Sequence, residues 1–374
     1  LPERMRAPVG STWIGPGGHV VSYPLHRSKI MNLVATIEGK TWTHATGSAP
    51  GTTEECLQVV RELKALGAGE VVLIGGEAYL RNDFILIIRA IREAGMSCTM
   101  TTGGYNLNRE RVDAMLEAGI GSITFSIDGL EATHDRLRGV PDSWQRAFAA
   151  MRHVRDAGGK IACNTQINAL TRSELLPLFE LLADEGIHSW QLQITVPHGN
   201  AADHPEIILQ PHMFLELFAT LDQVIDRCQA RNVRLWPGNN LGYFGPFEAK
   251  LRALQKRGGH YKGCGAGRTT IGIEADGAIK GCPSLGGPAN VGGNLRVTPL
   301  AQIWAEAPQL RYTRERTIDD LWGYCRGCYY NDLCMGGCTA TSEPLLGRPG
   351  NNPFCHHRAL EMARAGLRER IELV

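Results

Sequence analysis

The most regular pattern lies between residues 54 and 195, where amphipathic stretches alternate with short apolar runs. Residues 54–66 carry Leu57, Val60, Leu63 and Leu66 at helical spacing, open on Thr52-Thr53-Glu54-Glu55, a capping-box signature, and stop at Gly67. The uncharged run Val71-Val72-Leu73-Ile74 follows as a strand. The same alternation predicts helix 83–94 before strand 97–101, helix 108–118 before strand 122–127, helix 143–157 before strand 160–167, and helix 173–185 before strand 189–195. A further strand over 30–37, Ile30 to Ile37, brings the count to six. Repeated βα units predict a parallel sheet covered by helices, which right-handed crossovers curl into a full or partial barrel.

In such barrels the chemistry gathers where strands end. Those ends are Gly75-Gly76-Glu77, Thr101-Thr102-Gly103-Gly104, Ser126-Ile127-Asp128-Gly129 and Asn164-Thr165-Gln166. Their glycines let a ligand approach the backbone, and Glu77, Ser126 and Asp128 offer acceptors to an amine or a ribose. Any one of them alone also reads as an ordinary turn.

Composition narrows the classes. With 43% hydrophobic and 21% charged residues in 374, the chain has the makings of a well-buried core. The net charge of +1 provides no field for nucleic acid or anionic lipid, so neither partner is expected. No apolar run approaches the roughly 20 residues of a membrane span and no signal peptide opens the chain, so a cytoplasmic location is expected. Leu1 rather than Met at the start fits a fragment or a processed product.

Eleven cysteines point to metal or redox use rather than a disulfide scaffold. Cys56, Cys98, Cys163 and Cys228 sit in apolar helix or strand patterns and read as small buried hydrophobes. The other seven, Cys264, Cys282, Cys325, Cys328, Cys334, Cys338 and Cys355, all fall in a glycine-dense stretch, which marks a domain boundary near 240–262. Cys264 is followed by twelve residues, Gly277, four residues and Cys282; then Cys325, two residues, Cys328, five, Cys334, three, Cys338, and finally Cys355. Close cysteine pairs on tight turns converge thiolates on one metal, and isolated pairs of this kind usually mean zinc. Seven ligands exceed one tetrahedral zinc and fall one short of two four-cysteine sites, whereas iron–sulfur clusters commonly leave an iron open or take another ligand. The count favours clusters, with structural zinc as the alternative.

These stretches together resemble the radical S-adenosylmethionine enzymes that carry a C-terminal SPASM domain, over about 54–370. Leu73-Ile74-Gly75-Gly76-Glu77-Ala78 looks like that family's Gly-Gly-Glu-Pro segment with Ala78 for proline, and Phe125-Ser126-Ile127-Asp128-Gly129 and His134-Asp135-Arg136-Leu137-Arg138-Gly139 follow in the family's order. The cysteine spacing matches SPASM throughout. The resemblance implies α/β architecture: a partial (β/α)6 TIM-like barrel followed by a small cysteine-rich iron–sulfur (SPASM) domain. It implies domains at 54–240 and 241–374, after an atypical segment 1–53. It further implies that Gly75, Gly76 and Glu77 meet the methionyl amino group of S-adenosylmethionine, that Ser126 and Asp128 lie by the ribose, and that Arg138 reaches the methionyl carboxylate. By the same resemblance Cys264, Cys282 and Cys338 hold one auxiliary 4Fe-4S cluster and Cys325, Cys328, Cys334 and Cys355 a second. His260 is a remote candidate for the missing ligand of the first, while His356 and His357 read as helix-start residues.

The N-terminal segment departs from the family. No cysteine precedes Cys56, so the three-cysteine loop that chelates S-adenosylmethionine through an open iron is absent; Met31, Ala35 and Glu38 stand where it would align. Trp13 to Leu25, Asn32 to Ala35 and Trp42 instead resemble an internal piece of a flavin-dependent aromatic hydroxylase, over about 13–50, without the Gly-x-Gly-x-x-Gly turn of a flavin site. His19, His26, Glu38 and His44 could bind a lone divalent metal but rebuild no cubane site. The resemblance therefore implies an iron–sulfur oxidoreductase or peptide-modifying, maturase-type protein that is impaired in S-adenosylmethionine cleavage. A ribosomally made precursor peptide is the expected partner, with a reductant such as ferredoxin or flavodoxin. In family members an Asp beside the cysteine of the Gly-x4-Cys element can act as base; here Pro283 follows Cys282, so no catalytic residue is assigned.

Overall fold

The computed structural model describes residues 51–253 and 259–372, together with the backbone of three strands before Pro50. Two compact units result, Leu1–Pro50 and Gly51–Val374. In the first, β1 (Ser11–Gly15), β2 (Gly18–Leu25) and β3 (Ile30–Ile37) form an antiparallel sheet in that order. The strand expected at 30–37 thus forms, but it is not a barrel strand: it pairs antiparallel with β2 from Gly18↔Ile37 to Leu25↔Ile30. A short link is enough for antiparallel neighbours, whereas a parallel partner needs a long crossover. The side chains of Met31, Ala35, Glu38, His19, His26 and His44, and those of the hydroxylase-like stretch, lie outside the described residues.

The second unit holds a six-stranded parallel sheet of β4 (Glu70–Leu73), β5 (Ser97–Thr102), β6 (Ser122–Ser126), β7 (Ile161–Ile167), β8 (Ser189–Ile194) and β9 (Arg234–Pro237), in sequence order. Its sixth strand is β9, beyond the range that the alternating pattern covers. Helices α1 (Thr53–Leu66), α2 (Phe84–Glu93), α3 (Arg109–Glu117), α4 (Glu131–Arg138), α5 (Ser143–Asp156), α6 (Leu175–Asp184) and α7 (Phe214–Ala230) link the strands. The result is a partial TIM-like barrel.

Local chemistry explains these elements. The Thr52 hydroxyl accepts the Glu55 N–H at 3.1 Å while the Glu55 carboxylate accepts the Thr52 N–H at 2.6 Å, which closes the capping box that starts α1. Phe84, Ile87, Ile88 and Ile91 bury one face of α2, and Phe214, Leu217, Phe218, Leu221, Val224, Ile225 and Cys228 bury one face of α7. Cys98, Cys163 and Cys228 sit inside this core, where burial pushes the Cys98 thiol up to about 11 and the Cys228 thiol up to about 12. They are inert fillers of the barrel wall.

The cysteine-rich C-terminal region is laid against the barrel. It contains α8 (Glu248–Leu251), a small antiparallel sheet of β10 (Gly272–Ile273), β11 (Ala278–Lys280) and β12 (Val291–Asn294), and then α9 (Leu300–Glu306), α10 (Pro308–Glu315), α11 (Asn331–Cys334), α12 (Thr339–Leu346) and α13 (His356–Arg364). Phe354 and His356, at the start of α13, stack on Phe214 and Phe218 of α7 with ring centroids 5.9 and 4.0 Å apart. The Leu300 N–H donates to Glu62 at 2.6 Å, and Arg296 pairs with Glu55 at 2.8 Å, so α9 is tied to α1. The buried pair Arg252–Glu248 organises the entry: Glu248 accepts the N–H groups of Phe244 and Tyr261, and Arg252 donates to the carbonyls of Leu241 and Gly242. A buried pair of this kind holds only because such hydrogen bonds complete it. Among the described residues no helix is long and apolar enough to cross a membrane.

Candidate functional site

Two sites emerge, one at the strand ends and one among the cysteines. After β4 the chain turns through Gly75 and Gly76, both at positive φ (90° and 52°), a conformation open to glycine and costly for other residues. The turn delivers Glu77 to the end of the neighbouring strand, where its carboxylate accepts the Gly103 N–H at 3.0 Å and the Thr102 hydroxyl. Tyr79 lies alongside, its hydroxyl shared between Thr102 and the Tyr105 carbonyl. Glu77 is therefore aimed and half-buried before any ligand arrives.

Ser126 and Asp128 come together at the end of β6, and Arg138 joins them from the last turn of α4. Asp128, 6% exposed, accepts the Gln166 N–H at 3.1 Å through one oxygen and pairs with Arg138 at 2.8 Å through the other. Arg138 also donates to the Ser126 carbonyl at 3.4 Å. The buried neighbour His134, which the motif reading included without assigning it a role, takes the Asp128 N–H on its Nδ1 at 3.1 Å. That bond needs an unprotonated Nδ1, and the ring is held below its ordinary value of 6.5, first by burial and also by Arg138, against the opposing charges of Asp128 and Asp135.

The sign of the pH effect follows. A histidine depressed in the fold binds protons more readily when unfolded, so its contribution is complete above about pH 6.5 and is lost as pH falls below that value. We expect the thermal midpoint to drop between about pH 7 and 5, and His134→Gln, which keeps an acceptor, to reduce that drop. An unchanged slope in the variant would remove His134 from this role.

The seven predicted cysteines fall into two groups. Cys325, Cys328, Cys334 and Cys355 line one small cavity with Tyr243, Tyr324, Tyr330 and His357. Burial raises the Cys355 thiol to about 12, helped by the charges of Cys325 and Cys328, and burial with the charges of the same three partners raises Cys334. The other group is Cys264, Cys282 and Cys338: burial first, and the charges of Cys264 and Cys282 with it, raise Cys338 to about 12. Each group is thus mutually repulsive as thiolates and requires a positive centre to hold it deprotonated. All seven are free thiols. Among the described residues no three His, Cys, Asp or Glu side chains converge on a point suited to one metal ion. The four thiols around this cavity and the three of the second group are the candidate ligand sets.

The loops are held by residues that the spacing did not single out. Gly336 and Gly337, at φ 74° and 70°, carry the chain from Cys334 to Cys338; a Cβ on Gly336 would stand 2.8 Å from Gly350, and one on Gly337 2.6 Å from Tyr243. The Cys338 N–H donates to the Tyr243 hydroxyl at 2.8 Å. Asn352 donates to Thr341 at 2.8 Å, and its N–H reaches the Cys325 sulfur at 3.4 Å. Buried tyrosines crowd the three-cysteine group, and the hydroxyl of Tyr261 finds no partner there among the described residues. Such an orphaned donor fits a site completed by an acceptor such as cluster sulfide. The Gly336-Gly337 and Asn351-Asn352 pairs are the sequence signals that could have pointed to this scaffold. His260 lines a cleft with Cys264, its Nδ1 on the Tyr261 carbonyl at 2.8 Å, while His356 is packed between Phe218 and Phe247 and serves structure.

Comparison with known proteins agrees with this geometry. Residues 45–182 match the radical SAM superfamily, and residues 264–329 match the SPASM iron-sulfur cluster-binding domain. Cys334, Cys338 and Cys355 lie beyond the second match. An AdoMet-dependent heme synthase of Methanosarcina barkeri is 28% identical over 334 residues, covering 84% of this chain and 90% of the relative. A PqqA peptide cyclase of Rhizobium meliloti is 24% identical over 333 residues, covering 86% and 81%. Streptococcus suis SuiB bound to its precursor peptide SuiA superposes with a TM-score of 0.61 at 16% identity, covering 84% of this chain and 70% of that one, which is a likeness of fold. Strand-end motifs, cysteine spacing and family matches agree that this chain belongs to the radical SAM superfamily and carries a SPASM iron–sulfur domain.

Proposed function

We propose that the 374-residue chain is a maturase-type radical SAM/SPASM protein that holds two auxiliary 4Fe-4S clusters and engages a peptide, and that as it stands it does not cleave S-adenosylmethionine. The single observation that carries the cluster reading is the pair of thiol groups: four cysteines around one cavity and three in a second, tyrosine-lined nest. In this reading Cys325, Cys328, Cys334 and Cys355 hold one cluster and Cys264, Cys282 and Cys338 the other, within a domain at 241–374 that follows the barrel at 54–240. Bound clusters of this type supply one-electron chemistry.

The strand-end residues support a nucleoside site. Glu77 would take the methionyl amino group, the Ser126–Asp128 segment the ribose, and Arg138 the methionyl carboxylate after releasing Asp128. Gly75 and Gly76 let the ligand approach the backbone. The cluster that would chelate S-adenosylmethionine does not fit the residues present: none of residues 1–55 is a cysteine. The sheet supports this reading, because β4 is its edge strand and Val72 and Ile74 are 48% and 55% exposed there, beside the position a preceding barrel strand would occupy.

The peptide assignment draws on the relatives whose names state peptide cyclisation or a bound precursor peptide; a ferredoxin- or flavodoxin-type donor would serve as reductant. Anaerobic reconstitution followed by iron and sulfide analysis tests the cluster reading. About eight irons per chain are expected; zinc at one or two equivalents with no iron would overturn it.

A further inference from the structure

The cysteine-rich region carries a second cavity, which the cluster reading touches only at Cys264 and His260. It is an open cleft of about 540 Å³, with Cys264 on its wall and Lys262, Arg268, Arg314 and Arg316 around it; among the described residues Asp332 is the one carboxylate in the lining. Four cations against one acid, in a chain whose net charge is only +1, is a local concentration of charge rather than a reflection of composition.

The arginines are set by the fold. Arg314 lies over the Trp304 ring, 4.4 Å from its centroid, and donates to the Trp304 carbonyl. Arg316 lies over the Tyr312 ring at 5.5 Å and donates to the Met335 carbonyl at 3.2 Å and the Thr339 hydroxyl at 3.3 Å. Each guanidinium carries five N–H donors, so both keep some for a ligand. Arg268 is exposed and makes no side-chain hydrogen bond or ion pair among the described residues. Planar guanidinium forks match carboxylates, and several forks around one roomy cleft match several carboxylates on one ligand.

We propose that this cleft is an anchoring site for an acidic segment of the peptide partner, binding its Asp or Glu side chains beside the three-cysteine group. The inference rests on the peptide reading above and narrows it to a peptide with clustered carboxylates. A volume of this size accommodates several residues rather than one small anion.

The test uses the full chain, reconstituted anaerobically, with no S-adenosylmethionine or reductant, so that it is independent of turnover. A fluorescent hexaglutamate peptide is titrated by anisotropy at low and at physiological salt, with hexalysine and tricarballylate as comparison ligands. Hexaglutamate should bind and weaken as salt rises, hexalysine should not bind, and tricarballylate should compete only weakly. Arg268→Gln should lower hexaglutamate affinity about tenfold, with iron content and thermal midpoint unchanged; Arg268→Lys, which keeps the charge without the fork, should fall between. Equal binding of hexaglutamate by the Arg268→Gln protein would overturn the proposal, as would tricarballylate binding as tightly as the peptide. An altered cluster reduction potential in Arg268→Gln without any peptide binding would likewise overturn it, since the cations would then serve the cluster alone. Failure here with full iron content leaves the cluster reading intact, so the two are distinguishable.

Discussion

Exchanging Cys355 for alanine should halve the iron of the reconstituted protein, from about eight to about four per chain, and loosen the whole C-terminal end. Cys355 caps α13, its sulfur lies 3.7 Å from the Tyr243 carbonyl, and its neighbours Phe354 and His356 are the rings that stack on α7. The second apolar cluster around it is small: Tyr243, Tyr261, Leu285, Cys338 and Ala340 are its fully buried members. So small a core leaves folding coupled to the bound group, as in other ligand-rich, core-poor segments. Cys328→Ala, on the same cavity, should behave alike. Cys98→Ala is the control: it trims the barrel core and should retain all the iron. Iron and sulfide analysis, the visible absorption of the clusters and a thermal melt would decide it. Full iron in Cys355→Ala would show that this cavity is not a cluster site.

The second large effect is an absence of turnover. Given dithionite and S-adenosylmethionine, the 374-residue chain should release no 5′-deoxyadenosine above background, and calorimetry should show binding weaker than micromolar. In the proposed reading Glu77, Asp128 and Arg138 would contact only the periphery of such a ligand, and the thiols of the C-terminal region would be committed to their own groups. Restoring cysteine at Met31, Ala35 and Glu38 should not suffice, because those positions lie on or next to β3, which pairs with β2 rather than with β4. Replacing residues 10–53 with a barrel strand and three-cysteine loop should restore turnover, because the exposed edge at Val72 and Ile74 would then be covered. Turnover-level 5′-deoxyadenosine from the unmodified chain, detected by chromatography and mass spectrometry, would sink this account.

Much of the fold was legible from periodicity, and the reason is local. The strands expected at 97–101, 122–127, 160–167 and 189–195 and the helices between them recur within one or two residues, because apolar spacing and caps such as Thr52 and Glu55 act over a few residues. Strand 30–37 shows the limit. Its pattern was correctly extended, yet a run of apolar residues carries no record of its partner, and the hairpin with β2 won over the barrel. The sixth strand, β9, was missed because four residues after a long helix leave too short a pattern to register.

The chemistry divides in the same way. Residue order alone placed Glu77, Ser126, Asp128 and the seven cysteines at the ends of strands and turns, because motif spacing is a covalent property of the chain. Which groups meet across the fold was decided by tertiary structure: the closure of Glu77 onto Thr102 and Gly103 and of Asp128 onto the Gln166 N–H, and the hydrogen bonds by which Tyr243 and Asn352 hold cysteine loops far apart in sequence. The same holds for the convergence of Lys262, Arg268, Arg314 and Arg316 on one cleft. Such contacts depend on how separate elements pack, and packing is settled by shape and burial over long sequence separations that no local pattern encodes.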